Sequence, residues 1–247
     1  MKVSIIVSIL NSHEILRRQL LYWQQMNLPD DVEIIYLDDG SDPPLEDTVG
    51  IKNLKIHKTY DTRPWTVGLA RNIGARIAKG EYYLMTDIDY IIPWEAIDTV
   101  RNFDGPKIRF QRRFGVLTED GKLCTDLEVL EEYGLMPWRI KKKKNYVPPH
   151  PNNFAMRKDV FWKLGGYSEN RMNEAYPKCT DDGGFKMRFV ALQKKGLYPD
   201  HPERPTLYMF PSGQYCSETD VDYNPFNLFH THTRKTKENV YWQRGKK

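Results

Sequence analysis

"GLARNIGARIAKGEYYLMTDIDY", residues 68–90, decides how this chain is read. Helical spacing from Val67, with Leu69, Ile73 and Ile77 along one stripe, predicts a helix over 67–80 closed by Gly80. "EYYLMT" (81–86) is then a short apolar strand, and two carboxylates follow it, Asp87 and Asp89, one residue apart. A helix feeding a buried strand is the repeating unit of an α/β sheet. Carboxylates at the end of such a strand are costly unless something neutralises them. The candidates are a metal, a basic side chain or water.

The same grammar runs through the preceding residues. "VSIIVSIL" (3–10), "VEIIYL" (32–37) and "LKIHK" (54–58) are strand-like, and the first two are apolar enough to be buried on both faces. "NSHE" (11–14) reads as a helix start, with Asn11 as N-cap and Glu14 three residues on. Leu16, Leu20 and Trp23 then share one helical face. The second strand runs into "DDGSDPP" (38–44), which is dense in turn formers. Alternation of this kind means a mostly parallel central sheet flanked by helices, and such sheets bind ligands at the carboxyl ends of their strands. Asp38 and Asp39 follow the second strand and Asp87 and Asp89 the fourth, so both pairs are expected on one rim. They either meet a counter-charge there or cap neighbouring turns.

Composition narrows the class. The chain has 247 residues, 40% hydrophobic and 28% charged, which fits a globular protein. With 6 Trp and 15 Tyr it has aromatic surface to offer flat apolar faces such as sugar rings, or simply a bulky core. A net charge of +4 is no nucleic-acid signature. Cys124, Cys179 and Cys216 are odd in number and form no CxxC pair, which suits a reducing, cytoplasmic setting. "MKVSIIVSILNSHE" is not expected to be a signal peptide, and no apolar run is long enough to span a bilayer. Membrane contact, if any, is expected to be peripheral.

The second half is less regular. "RNFDGPKIRFQRRFGVL" (101–117) holds strand-like stretches with interspersed basic residues. "WRIKKKKNYVPPHPNN" (138–153) is basic and then Pro-rich, and reads as a loop. Its Lys141–Lys144 run is a solvated charge run or a clamp on acidic headgroups. "NFAMRKDVFWKLGGYSE" (153–169) reads as a strand, a short helix and a Gly-Gly turn. "DDGGFKMRFVALQKKG" (181–196) reads as a helix with acids at its N-terminus and an apolar stripe of Phe185, Phe189 and Leu192.

Four stretches, in order, carry a family resemblance: "VSIIVSILN", "YLDDGSDP", "GLARNIGARIAKGEYYLMTDID" and "FWKLGGYSE…CTDDGGFKMR". Over about residues 3–190 the chain resembles a GT-A-fold glycosyltransferase. It looks close to the large inverting family 2, with a second half like the galactosyl- and N-acetylgalactosaminyltransferases. The resemblance implies a Rossmann-like nucleotide-binding half, about 1–100, and an irregular acceptor-binding and catalytic-base half, about 101–247, packed as one domain.

It also implies roles. A sugar nucleotide loses a diphosphate, and a divalent cation, Mn²⁺ or Mg²⁺, stabilises the charge that develops. By resemblance Asp89 coordinates that ion directly, and Asp87 binds it through water or meets the ribose. Asp39 accepts from the uracil N–H, Ser8 lines the base pocket, and Arg71 approaches the nucleotide or pairs with an acid. Asp182 is the expected general base for the acceptor hydroxyl, with Asp181, Gly166 and Tyr167 on the acceptor side. Asp181 replaces the relatives' usual Glu, and two glycines stand where further acids are common. In "NLFHTHTRKT" (227–236), His232 is the expected further metal ligand and His230 the alternate, with Arg234 and Lys235 near the diphosphate. The expected donor is a UDP-sugar and the acceptor a glycan or glycoconjugate. Two other classes stay open. A nucleotidyltransferase would resemble this fold but carry a Gly-rich basic loop where "NSHE" stands, and a non-catalytic sugar-nucleotide-binding module would keep the pocket without turnover.

Overall fold

In the computed structural model the chain is described at residues 1–61, 66–132, 145, 149–169 and 182–210. The order of elements begins β1 (Val3–Ile9), α1 (His13–Met26), β2 (Val32–Asp38), β3 (Leu54–Lys58), α2 (Val67–Ile77) and β4 (Tyr82–Asp87). It continues with β5 (Tyr90–Ile91), α3 (Trp94–Arg101), β6 (Lys107–Arg109), β7 (Gln111–Phe114), β8 (Val116–Leu117), β9 (Leu123–Cys124) and α4 (Leu127–Glu132). Then come β10 (Phe154–Arg157), α5 (Lys158–Lys163), α6 (Asp182–Lys194) and β11 (Thr206–Met209).

Six strands form the central sheet in the order β3-β2-β1-β4-β10-β6. β1 to β4 are mutually parallel, and β10 is antiparallel to both β4 and β6. The fold is therefore α/β with a mostly parallel sheet flanked by helices. The apolar runs follow from two-sided burial. Val3, Ile5, Val7, Val32, Ile34, Tyr36 and Leu84 pack on one face with α1 and α3, while Ile6, Ile35, Leu37, Tyr83 and Met85 pack on the other with α2 and α5. A smaller sheet, β5-β11-β7, and a β8-β9 hairpin are the other sheets among the described residues.

Two local expectations are corrected. Asn11 does not cap α1: the helix starts at His13, its cap position is Ser12, and the Ser12 hydroxyl donates to the Leu10 carbonyl at 2.9 Å. Asn11 adopts φ 49° and its Oδ1 accepts from Asp42 N at 2.9 Å, so it joins the β1 loop to the β2 turn. Glu14 pairs with Arg17 and Arg18 rather than closing a capping box.

The second correction concerns α2. Leu69 and Ile73 are only half-buried and Ile77 is exposed, so of the expected stripe Ile73 alone packs against the core. The buried residues are Gly68, Ala70, Arg71, Asn72, Gly74 and Ala75. Small residues let the helix approach the sheet closely. A Cβ on Gly74 would stand 2.6 Å from Ile6 Cγ2 and 2.8 Å from Leu37 Cδ2. Nor does Gly80 close the helix, which ends at Ile77 with Ala78 extended. Gly80 sits instead where a Cβ would meet the Ser4 backbone nitrogen at 2.5 Å, and its N–H donates to Ser4 Oγ at 2.8 Å.

Two later expectations hold, while most of the loop expected over 138–153 lies outside the described residues. "NFAMRKDVFWKLGGYSE" gives β10, α5 and a turn with positive φ at Gly165 and Gly166. On α6, Phe185 and Phe189 are buried, with Phe185 stacked on Phe154 and Tyr167 at 5.5 and 4.7 Å between ring centroids.

Candidate active site

Strand order gives the acids their address. The chain steps outward from β1 to β2 and β3, then returns to pair β4 on the opposite side of β1, so the order reverses between β1 and β4. At that crevice Ser8, half-buried, lies in register with Asp87 on one side and Leu37 on the other, and Ile9 is in register with Asp38. Both acid pairs thus stand on one rim, at the place where open α/β sheets bind ligands.

The pair after β2 is answered by the chain itself. Asp38 is buried; Oδ1 accepts from Ser41 N at 2.8 Å and Oδ2 from Leu45 N at 3.0 Å, which holds the turn. Asp39 is also buried, and Oδ1 accepts from the Thr59 hydroxyl at 3.0 Å and from the Thr66 hydroxyl. Thr66 N lies 3.3 Å from Oδ2. Asp39 therefore has a defined orientation at the mouth of the crevice, where the expected base contact would be made.

The pair after β4 is treated differently. Arg71, fully buried on α2, pairs through Nη2 with Asp87 Oδ1 and reaches the Tyr167 hydroxyl at 3.3 Å through Nη1. Between the two roles expected for Arg71, its pairing with an acid is the one in place. Asp89 is half-buried as a residue, but its Oδ1 is enclosed and has no hydrogen-bond partner. Desolvation, reinforced by the Asp87 charge, holds its carboxyl well above the usual carboxylate range, with Arg112 and Arg71 only partly offsetting this. An enclosed carboxylate oxygen lacking a donor, beside a second carboxylate, is the donor set that a hard divalent cation takes. The residues present fit Mn²⁺ or Mg²⁺. Among the described residues no three His, Cys, Asp or Glu side chains converge as a metal cluster, so the described ligand set is this pair.

The loop carrying Asp89 is braced from three directions. Gln19 on α1 donates through Nε2 to the carbonyls of Ile88 at 2.7 Å and Tyr90 at 3.0 Å. Gln19 Oε1 accepts from the Tyr36 hydroxyl at 2.6 Å, and that hydroxyl accepts from Trp23 Nε1 at 2.8 Å. Phe210 N, just past β11, donates to the Asp89 carbonyl at 2.8 Å. Arg112 on β7 donates to the Tyr90 hydroxyl. Sequence reasoning missed all of these. The only trace was a polar residue, Gln19, sitting between the apolar positions Leu16, Leu20 and Trp23.

A second group reaches the rim from the segment before β10. His150 Nδ1 is 3.8 Å from Asp87 Oδ2, and Asn153 Oδ1 accepts from the Thr86 hydroxyl at 3.2 Å. Gly166 and Tyr167 lie behind Arg71: Gly166 has φ 63° over the Asn72 side chain, and Tyr167 is buried with its N–H donating to Asn72 Oδ1 at 2.9 Å. Asp182 is the first residue of α6. Asp181, His230, His232, Arg234, Lys235 and the Lys141–Lys144 run lie outside the described residues.

The fold is similar to the crystal structure of TarS from S. aureus, with a TM-score of 0.52 at 17% identity, covering 85% of this chain and 37% of that one. It is similar to the mannosyltransferase PcManGT from Pyrobaculum calidifontis, a structure in complex with GDP-Man and Mn²⁺, with a TM-score of 0.52 at 18% identity, covering 85% of this chain and 56% of that one. The chain thus spans well under two thirds of either protein's length. No curated protein matches it. Residues 4–103, the stretch that holds Ser8, Asp39, Arg71, Asp87 and Asp89, match the model of the family described as Glycosyl transferase family 2.

Proposed function

We propose that the protein is a metal-dependent, inverting glycosyltransferase that moves a hexosyl unit from a UDP-sugar to a hydroxyl of a glycan or glycoconjugate. The observation that carries this is the enclosed Asp89 oxygen beside Asp87, at the strand-order reversal of a sheet matching Glycosyl transferase family 2. Asp89 and Asp87 would hold the ion, with His232 or His230 as a further ligand. When bound, the ion supplies Lewis-acid stabilisation of the departing diphosphate.

The chain's own residues do the rest. Asp39, oriented by Thr59 and Thr66, accepts from the uracil N–H, and Ser8 lines the base pocket. Arg71 holds Asp87 fixed in direction. Asp182 opens α6 on the acceptor side, which Asp181 and the turn at Gly166 and Tyr167 help to form, and takes the proton from the attacking hydroxyl. In this reading residues 1–100 form the nucleotide half, and the remainder is the acceptor half, akin to galactosyl- and N-acetylgalactosaminyltransferases.

The test is UDP release from a panel of UDP-sugars with MnCl₂ and a broad acceptor set. Turnover that depends on Mn²⁺ and is lost in Asp89→Ala supports the reading, and no turnover with any sugar nucleotide overturns it. Full activity in Asp182→Asn would move the base elsewhere.

A further inference from the structure

Beside the acid pair, two amides are left with unused hydrogen-bonding ends. Asn152 is 5% exposed and Asn153 1% exposed. Asn152 Oδ1 and Asn153 Nδ2 are both enclosed, and neither has a hydrogen-bond partner. Buried polar groups are normally satisfied, and an orphaned one costs about 1–3 kcal/mol. Two in adjacent residues are therefore a feature to be explained.

Their position is defined by the sheet. β10 runs antiparallel to β4 with Phe154 opposite Met85, and Asn152 and Asn153 stand in the turn that leads into it, where Asn153 N donates to the His150 carbonyl at 3.2 Å. Asn153 Oδ1 accepts from the Thr86 hydroxyl at 3.2 Å, and Asn152 N is 3.3 Å from His150 Nδ1, which is 3.8 Å from Asp87 Oδ2. The two residues thus stand on the β10 side of the crevice, next to Thr86 and to His150 beside Asp87.

The chemistry of the two ends selects the ligand class. Asn152 offers an acceptor and Asn153 a donor. A phosphate needs donors only and a metal ion acceptors only. A hydroxyl is both at once, and neighbouring sugar hydroxyls present both along one edge. We propose that Asn152 and Asn153 form a neutral clamp for hydroxyls of a sugar lying beside Asp87, and so help set which sugar is accepted. This deepens the proposed function and rests on it. The sugar is the one being transferred or the one receiving it, and the experiment separates these sources.

Asn152→Ala is the informative variant, because its Oδ1 gives up no internal bond. Its melting temperature should match or exceed that of the wild type. Binding is measured by calorimetry on the full chain with MnCl₂, using UDP, UDP-glucose, UDP-galactose and UDP-N-acetylglucosamine, and then methyl glycosides added to the UDP-saturated protein. A loss of about tenfold or more for at least one UDP-sugar, with UDP unchanged, supports the clamp and assigns it to the transferred sugar. A loss confined to the methyl glycosides supports it and assigns it to the acceptor. Equal losses for UDP and UDP-sugars, or no change in any ligand, overturn it. Asn152→Asp, which keeps the shape and an acceptor, should retain most of the affinity; a loss as large as alanine's also counts against the clamp. Wild-type protein that binds none of the nucleotides overturns the proposed function itself, a result distinguishable from failure of the clamp alone.

Discussion

Two acid pairs flank the end of β1, and they are built in opposite ways. After β2, Asp38 accepts from two backbone N–H groups and Asp39 from two threonine hydroxyls. After β4, Asp87 takes one arginine and Asp89 keeps an enclosed oxygen with no donor. Both pairs end a parallel strand on one rim, so strand polarity does not separate them, although Asp38 and Asp39 are adjacent and buried while Asp87 and Asp89 are one residue apart and half-buried. The difference lies in whether the protein's own donors complete the carboxylate. Where they do, the acid is fixed in place: Asp38 holds a turn and Asp39 is held in one orientation. Where they do not, the acid is left for something the chain does not contain, and sites that give up stability in this way are where function is expected.

The widest gap between the pairs should appear on removing one acid from each. Asp89→Ala is expected to lower Mn²⁺-dependent UDP release on the order of 10³-fold, with little loss of stability in a urea melt, because its enclosed oxygen has no hydrogen-bond partner. Asp38→Ala should do the reverse. Losing two charge-assisted hydrogen bonds costs about 3 kcal/mol, while turnover per folded molecule stays close to wild type. If Asp38→Ala abolished turnover in fully folded protein, or Asp89→Ala unfolded the chain, the contrast would collapse.

Lys107 tests the same idea on a cation away from the rim. It is buried on β6, with Nζ 4.5 Å from the Phe154 ring centroid and 4.6 Å from that of Phe189, so aromatic faces rather than an ion pair hold it. Burial, helped by Arg109 and Lys186 and opposed by Asp200, lowers its pKa to about 7. The folded pKa lies below the unfolded one, so the unfolded chain binds the extra proton between them. Stability from this group is present above about pH 10.5 and lost as pH falls towards 7. Lys107→Met should therefore stabilise the protein at pH 7 by about 2 kcal/mol and flatten the rise in stability between pH 7 and 10. An unchanged pH profile of the urea midpoint would show that Lys107 is already paired. The smallest effect is expected at Thr66→Val. It removes one hydroxyl from Asp39, and should cost about 1 kcal/mol and weaken UDP binding several-fold. No change in UDP affinity would detach Asp39 from the nucleotide.

Much of this contrast was hidden in the letters. The four parallel strands were legible to within a residue or two: β1, β2 and β4 are buried on both faces and apolar for most of their length, and the edge strand β3 shows through its alternation at Leu54 and Ile56. The α2 stripe was misread for a related reason. Its packing face is Ala70, Gly74 and Ala75, and small residues carry no hydrophobic signal although they permit the closest approach to Ile6 and Leu37. Asn152 and Asn153 were absorbed into a Pro-rich loop, since nothing local distinguishes a buried amide from a solvated one. Gln19 was invisible because its partners, Ile88 and Tyr90, are about seventy residues away.

The sequence by itself determined the α/β class, the four strand runs and the candidate acids, since periodicity and strand-end position are local properties that survive without coordinates. It also placed Arg71 among the possible partners of those acids. Only the tertiary structure decided which acid Arg71 meets, which oxygen stays unanswered, and which amides stand beside it. Those outcomes depend on hydrogen-bond donors arriving from α1, α2 and the residue after β11, and satisfaction of a buried carboxylate is a property of everything packed around it.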